Sequence, residues 1–195
     1  MTGEFELIAR HFARPAQSAQ VSIGIGDDAA ALIPSAGATL LVTTDTLVAG
    51  RHFRSDVPAE ALGWKAAMVN LSDLAAMGAT PCWLTLALTL PEADDSWVAA
   101  FAEGFRAAAQ SIGAELVGGD MTRGPLTIGV TALGETLDAP LRRCAAQPGD
   151  ELWLTGSTGE AAAALVMPEG PAVTGVQPLH HGADLVDRAG RVADR

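Results

Sequence analysis

The stretch Met68-Val69-Asn70-Leu71-Ser72-Asp73-Leu74-Ala75-Ala76-Met77-Gly78-Ala79 decides how the chain is read. It has the texture of the last turns of a helix that opens near Pro58 and stops at Gly78. Val69, Ala76 and Met77 suit a core, yet Asn70, Ser72 and Asp73 interrupt the apolar run. A bare carboxylate is too costly to bury, so Asp73 must be solvated, paired or on a metal. Three further acidic sites are spaced along the chain: Asp27-Asp28, Asp45 and Asp120. Each follows a strand-like run among Gly, Thr or Ser, and the rest reads as scaffold that brings the four sites together.

Outward from that stretch, strands and helices alternate. Gly3 to Phe12 has Phe5, Ile8, Ala9 and Phe12 at helical spacing. Val21 to Gly26 reads as a short strand running into Asp27-Asp28, and Thr39 to Thr44 as a better one, ended by Asp45. Asp56 is placed to cap the helix that follows, from Pro58 to Met77. Trp83 to Leu90 alternates, with Leu84, Leu86, Leu88 and Leu90 on one face. Asp95 is a natural cap for a helix whose stripe is Val98, Phe101, Ala102, Phe105, Ala108, Ala109 and Ile112, stopped by Gly113. Glu115-Leu116-Val117 leads into Gly118-Gly119-Asp120, and Leu126 to Leu133 is another alternating strand. Leu152 to Thr155 reads as a strand, and Thr158 to Val166 as a helix. The mixture predicts an α/β or α+β fold with two long helices and about five strands.

From Pro168 the texture changes to Pro- and Gly-rich, with Leu185, Val186, Ala189 and Val192 as one short amphipathic patch. Residues 1–167 are therefore expected to form one domain and residues 168–195 a linker and tail. At 195 residues the core can be sizeable. The net charge of −11 excludes a general nucleic-acid binder, since no basic stripe neutralises phosphates. The apolar runs break well before membrane-spanning length, and no signal-peptide pattern opens the chain, so a cytoplasmic protein is expected. Cys82 and Cys144 sit in unrelated contexts and read as buried or half-buried free thiols.

A carboxylate just beyond a strand end points into the crevice where α/β folds bind ligands. Asp28, Asp45 and Asp120 have that position, and Thr43 and Thr44 add hydroxyl oxygens. Oxygen-only donors suit hard cations such as Mg²⁺, and an acidic protein that binds anions recruits cations locally. Gly118-Gly119 lets backbone amides approach a phosphate, although no P-loop is present. Pattern alone leaves two readings open, a metal–phosphate site or a set of caps and solvated turns.

Four strings in one order narrow the choice: Gly24-Ile25-Gly26-Asp27-Asp28-Ala29-Ala30, Thr43 to Phe53, Asn70 to Ala79, and Gly118-Gly119-Asp120-Met121-Thr122-Arg123-Gly124. Together they resemble the thiamine-monophosphate kinase family, of the aminoimidazole-ribonucleotide synthetase-like superfamily, over roughly residues 3–166. The resemblance implies an N-terminal α/β half whose strands pair with a second subunit's into a barrel. It also implies transfer of the γ-phosphoryl group of ATP to thiamine monophosphate, giving thiamine diphosphate, in a homodimer. By motif, Asp28, Thr43, Thr44, Asp45, Asp73 and Asp120 would hold Mg²⁺. His52 would touch the substrate, and Gly119, Asp120 and Arg143 would contact ATP. No catalytic acid or base is implied, because the acceptor is already a phosphate oxygen. The family continues into a second half with further metal-binding aspartates, which residues from about 168 do not resemble. The chain alone is therefore expected to bind nucleotide weakly and turn over poorly. Two other readings stand beside it: another ATP-using enzyme of the superfamily, and a non-catalytic Mg–nucleotide-binding or dimerisation module.

Overall fold

The computed structural model describes residues 3–151. Element α1 (Glu4–Leu7) runs into a π-helical turn, Ile8–Phe12. Next come β1 (Val21–Ile23), β2 (Ala31–Leu32), β3 (Thr39–Val48), α2 (Ala59–Ala76), β4 (Thr80–Leu90), α3 (Asp95–Ser111), β5 (Glu115–Arg123) and β6 (Thr127–Thr136). The four long strands form one mixed sheet in the order β3-β6-β4-β5. β6 is antiparallel to both β3 and β4, while β4 and β5 are parallel, joined by α3 as the crossover. The expected mixed α/β architecture is thus present. The strand and helix anticipated at 152–166, and the tail beyond, lie outside the described residues.

One face of the sheet carries the core. Leu84, Leu86 and Leu88 of β4 sit in register with Ala132, Val130 and Ile128 of β6 and are buried under α2 and α3. β4 is therefore an interior strand whose leucine face is core of this chain, while Thr85, Ala87 and Thr89 of the same run lie on the opposite face. The two helices cross at glycines: a Cβ on Gly63 would overlap the Phe101 carbonyl oxygen, and one on Gly104 the Glu60 carbonyl oxygen. Trp97 stacks on Phe101 with ring centroids 5.2 Å apart, so this tryptophan is a packing anchor.

The opposite face is partly open. The short β1–β2 pair packs Val21 and Leu32 against Trp83, Val117 and Leu133, covering one end of it. Beyond that end the face shows Thr44, Thr46, Thr127, Thr131, Thr85, Thr89 and Thr122, by register. Leu40, Val42 and Val48 of the edge strand β3 stay exposed, Val42 at 59%.

Local capping differs from expectation in two places. Asp94, not Asp95, caps α3: its Oδ1 accepts from the Ser96 and Trp97 amides at 2.9 and 3.2 Å. The Ser96 hydroxyl and those amides hold the Asp94 carboxyl below the usual range. Asp56 does not cap α2; it binds Arg54 at 2.6 Å, and Pro58 precedes the helix with no side-chain cap. Cys82 and Cys144 are both free thiols, Cys82 half-buried as expected and Cys144 exposed, contrary to expectation, in the turn after β6.

Candidate functional site

Two of the acidic sites lie inside strands, where strand ends were expected. β3 continues to Val48 because Thr46, Leu47 and Val48 keep the alternation going, so Asp45 is a mid-strand residue. β5 likewise runs through Gly118-Gly119-Asp120 to Arg123. It does so across a break in register after Leu84, with Thr85 opposite Gly118. At Gly119, φ is +152° and a Cβ would overlap the Leu86 carbonyl oxygen, so only glycine fits there. Asp28 lies in the loop after β1, where its amide donates to Asp27 Oδ1 at 2.8 Å.

The structure joins two of the candidates, Thr43 and Asp73, and carries a third, Asp45, on the same strand face as Thr43. Thr43 and Asp45 sit two residues apart on β3, on the face shared by buried Leu41 and Leu47. From α2, Asp73 reaches the same face, and Thr43 Oγ1 donates to Asp73 Oδ2 at 3.1 Å. This joins the helix end to the edge strand and leaves two carboxylates and a hydroxyl at the solvent border of the core. The donors are all oxygen, which fits a hard cation.

The other candidates stand apart. Thr44 points to the open face, where it donates to the Val130 carbonyl at 3.0 Å and accepts from Thr131 Oγ1 at 3.1 Å. Asp120 alternates with buried Met121 and pairs with Ala87, so it too belongs to the open face. Three strand spacings separate the two edge strands, roughly 14 Å. Among the described residues, no three His, Cys, Asp or Glu side chains converge as a metal cluster. The His52 ring folds back on its own turn, its Nδ1 accepting from the Val48 amide at 3.0 Å, while Lys65 Nζ donates to the His52 carbonyl at 2.7 Å. Arg143 is exposed in a turn after β6.

One charged cluster was not anticipated. Arg10 Nη1 and His11 Nε2 both meet Asp95 Oδ1, at 2.7 and 3.0 Å, and Arg10 Nη2 also binds Glu6 at 2.6 Å. The His11 hydrogen bond, then the Arg10 charge, hold the Asp95 carboxyl below its ordinary range. Nothing in the sequence flags this, because a π-helical turn has no residue signature and tandem Asp94-Asp95 reads as a single cap.

Comparison with known proteins decides the lineage. Residues 26–136 match the family described as AIR synthase related protein, N-terminal domain. The chain belongs to the AIR synthase related family. Within that family it is 49% identical over 171 residues to the thiamine-monophosphate kinase of Salmonella typhimurium, covering 85% of this chain and 51% of the relative. The chain thus spans about half the length of the curated relatives it matches. The crystal structure of thiamine-monophosphate kinase from Stenotrophomonas maltophilia K279a superposes with a TM-score of 0.74 at 46% identity, covering 88% of this chain and 55% of that one. A further solved relative, AaThiL complexed with AMPPCP and TMP, gives 0.65 at 32% identity, covering 80% and 50%. The AIR synthase related fold is therefore shared, with Thr43, Asp45 and Asp73 at the junction of its edge strand and first long helix.

Proposed function

We propose that this chain is the nucleotide-handling half of a thiamine-monophosphate kinase, an ATP-dependent phosphotransferase whose acceptor is a phosphate group. The observation that carries the reading is the Thr43–Asp73 hydrogen bond beside Asp45, in a chain 49% identical to a curated thiamine-monophosphate kinase. A solved relative named as a complex with AMPPCP and TMP supports ATP and thiamine monophosphate as the ligands. Asp45, Asp73 and Thr43 would hold Mg²⁺, with Asp28, Thr44 and Asp120 as the remaining ligands of the reading. Bound there, Mg²⁺ would neutralise phosphate charge. Gly119 and Asp120 would meet ATP where the glycine permits close backbone approach, with Arg143 as a further cationic contact and His52 on the substrate. The acceptor oxygen needs no strong base, so these residues act by alignment and charge neutralisation. A cytoplasmic setting, where ATP is at hand, is part of this reading; among the described residues no helix is long and apolar enough to cross a membrane.

Incubation with Mg·ATP and thiamine monophosphate, followed by assay for thiamine diphosphate, tests it. This chain should bind Mg·ATP weakly and turn over poorly, while a full-length relative turns over. Absence of Mg·ATP binding here, under conditions where the relative binds, would favour the reading as a dimerisation module without nucleotide.

A homodimer is the second element of the proposal. Among the described residues β3 is an unpaired edge, with Leu40, Val42 and Val48 exposed, and such edges are a liability in a monomer. A second copy laid on the open face would cover them and bring another set of Thr44 and Asp120 near. Sedimentation at micromolar concentration should give twice the chain mass. A monomer that stays soluble over a wide concentration range would contradict the barrel.

The domain boundary near residue 167 is proposed on the same footing, since the main apolar cluster among the described residues runs from Leu7 to Ala132. Deleting residues 168–195 should move the melting temperature by only a few degrees; a large loss would place the boundary elsewhere.

A further inference from the structure

Part of the N-terminal segment, Ile8 and Phe12, lines a small hollow together with the Gly118–Asp120 stretch of β5. Ile8 and Phe12 form the roof of this hollow, whose floor is Leu86, Leu88 and Met121, and Ile25 closes one side. The hollow measures about 40 Å³, far below the roughly 300–1,000 Å³ of ligand pockets. Anything larger than a water that enters this hollow must displace its roof.

The roof is held lightly. Its one fully buried side chain is Leu7, while Ile8 and Phe12 are half-buried. Its polar attachments are few: Arg10 and His11 on Asp95, and the Arg106 guanidinium donating to the His11 carbonyl at 3.4 Å. The π-helical turn explains the first pair. A π turn winds more residues per revolution than an α-helix, so neighbouring side chains diverge less, and Arg10 and His11 can meet one carboxylate oxygen. An ionised carboxylate only accepts, so His11 donates from Nε2. Asp95 opens α3, a helix packed firmly into the core, so this cluster fastens a loose segment to a rigid one.

We propose that residues 4–12 are a strap that lifts to admit nucleotide beside Gly118–Asp120, and that the Arg10–Asp95–His11 cluster is its latch. The nucleotide part rests on the function proposed above; the strap and latch rest on the contacts just given. Exposed ion pairs are weak and screened by salt, so the latch sets how often the strap opens and does not lock it.

The test places a reporter thiol on the floor, Met121→Cys, in a chain carrying Cys82→Ser and Cys144→Ser. Its labelling rate by a thiol reagent, without nucleotide, reads strap opening. Asp95→Asn and Arg10→Gln should each raise that rate on the order of fivefold, and added salt should do the same to the reporter chain with its latch intact. Mg·ATP should leave the Asp95→Asn chain correspondingly faster. Labelling unchanged by both substitutions and by salt overturns the latch. Faster labelling with an unchanged Mg·ATP off-rate overturns the strap as a gate for nucleotide. Faster labelling in a chain that binds no Mg·ATP at all, with or without the substitutions, keeps strap and latch and refutes the nucleotide reading instead.

Discussion

Gly104→Leu should unfold the helical layer, and Gly104→Ala and Gly63→Ala should each lower stability by about 1–3 kcal/mol. Helix propensity alone predicts the reverse. Alanine in a helix interior is favoured over glycine by roughly 1 kcal/mol, so on an exposed face both substitutions would stabilise. Here the sign is set by the crossing of α2 and α3. A methyl group at either position would overlap a backbone carbonyl oxygen of the other helix, Phe101 or Glu60. Backbone does not swing aside as a long side chain does, so the helices must move apart. Separation would loosen Phe101, Phe105 and Leu62, all buried at the contact. It would also tilt α2 away from β3, and with it Asp73 away from Thr43. Urea unfolding checks the stabilities, and a raised midpoint in both alanine variants would show that the helices do not pack this closely.

The fold was largely legible because its periodicities are clean. The run 83–90 alternates and is a strand, and the stripe from Val98 to Ile112 marks the buried face of α3. Less legible were the ends. Asp45 looked like a strand terminus because acids are poor strand formers, yet the strand continues, since an edge strand tolerates a carboxylate that reaches solvent. Gly118-Gly119 looked like a turn and is an irregular stretch inside β5. Strand order was not legible at all: nothing local tells β6 to insert between β3 and β4. That insertion is why the six proposed metal ligands divide. Single-residue alternation sends Thr43 and Thr44 to opposite faces, and two intervening strands separate Asp45 from Asp120. Motif order along a chain is silent on which side of a sheet each motif ends.

Asp45→Asn and Asp73→Asn should each weaken Mg·ATP binding by about 10–100-fold while leaving the fold intact. Both amides are isosteric with the acids they replace, and neither acid is in the buried core. Asp73 is exposed at the end of α2 and accepts from the Thr43 hydroxyl, which an amide oxygen does equally well. Packing and the hydrogen bond therefore survive, and what is removed is negative charge at an oxygen-only site. A hard cation depends on that charge, because amide oxygens are much weaker ligands than carboxylates for Mg²⁺. Thr43→Val is the informative companion. It keeps the β-branched shape suited to a strand and deletes the hydroxyl, so it frees Asp73 from β3 without changing charge. Its loss should be smaller than that of either aspartate, and combining it with Asp73→Asn should cost less than the sum of the two, because both act on the same ligand, one through its position and the other through its charge. Titration calorimetry with ATP in the presence and absence of Mg²⁺ separates metal-dependent from metal-independent binding. Only the Mg²⁺-dependent part should fall. Equal Mg·ATP affinity in both aspartate variants, with unchanged circular dichroism, would sink the assignment of the β3–α2 junction as the metal site.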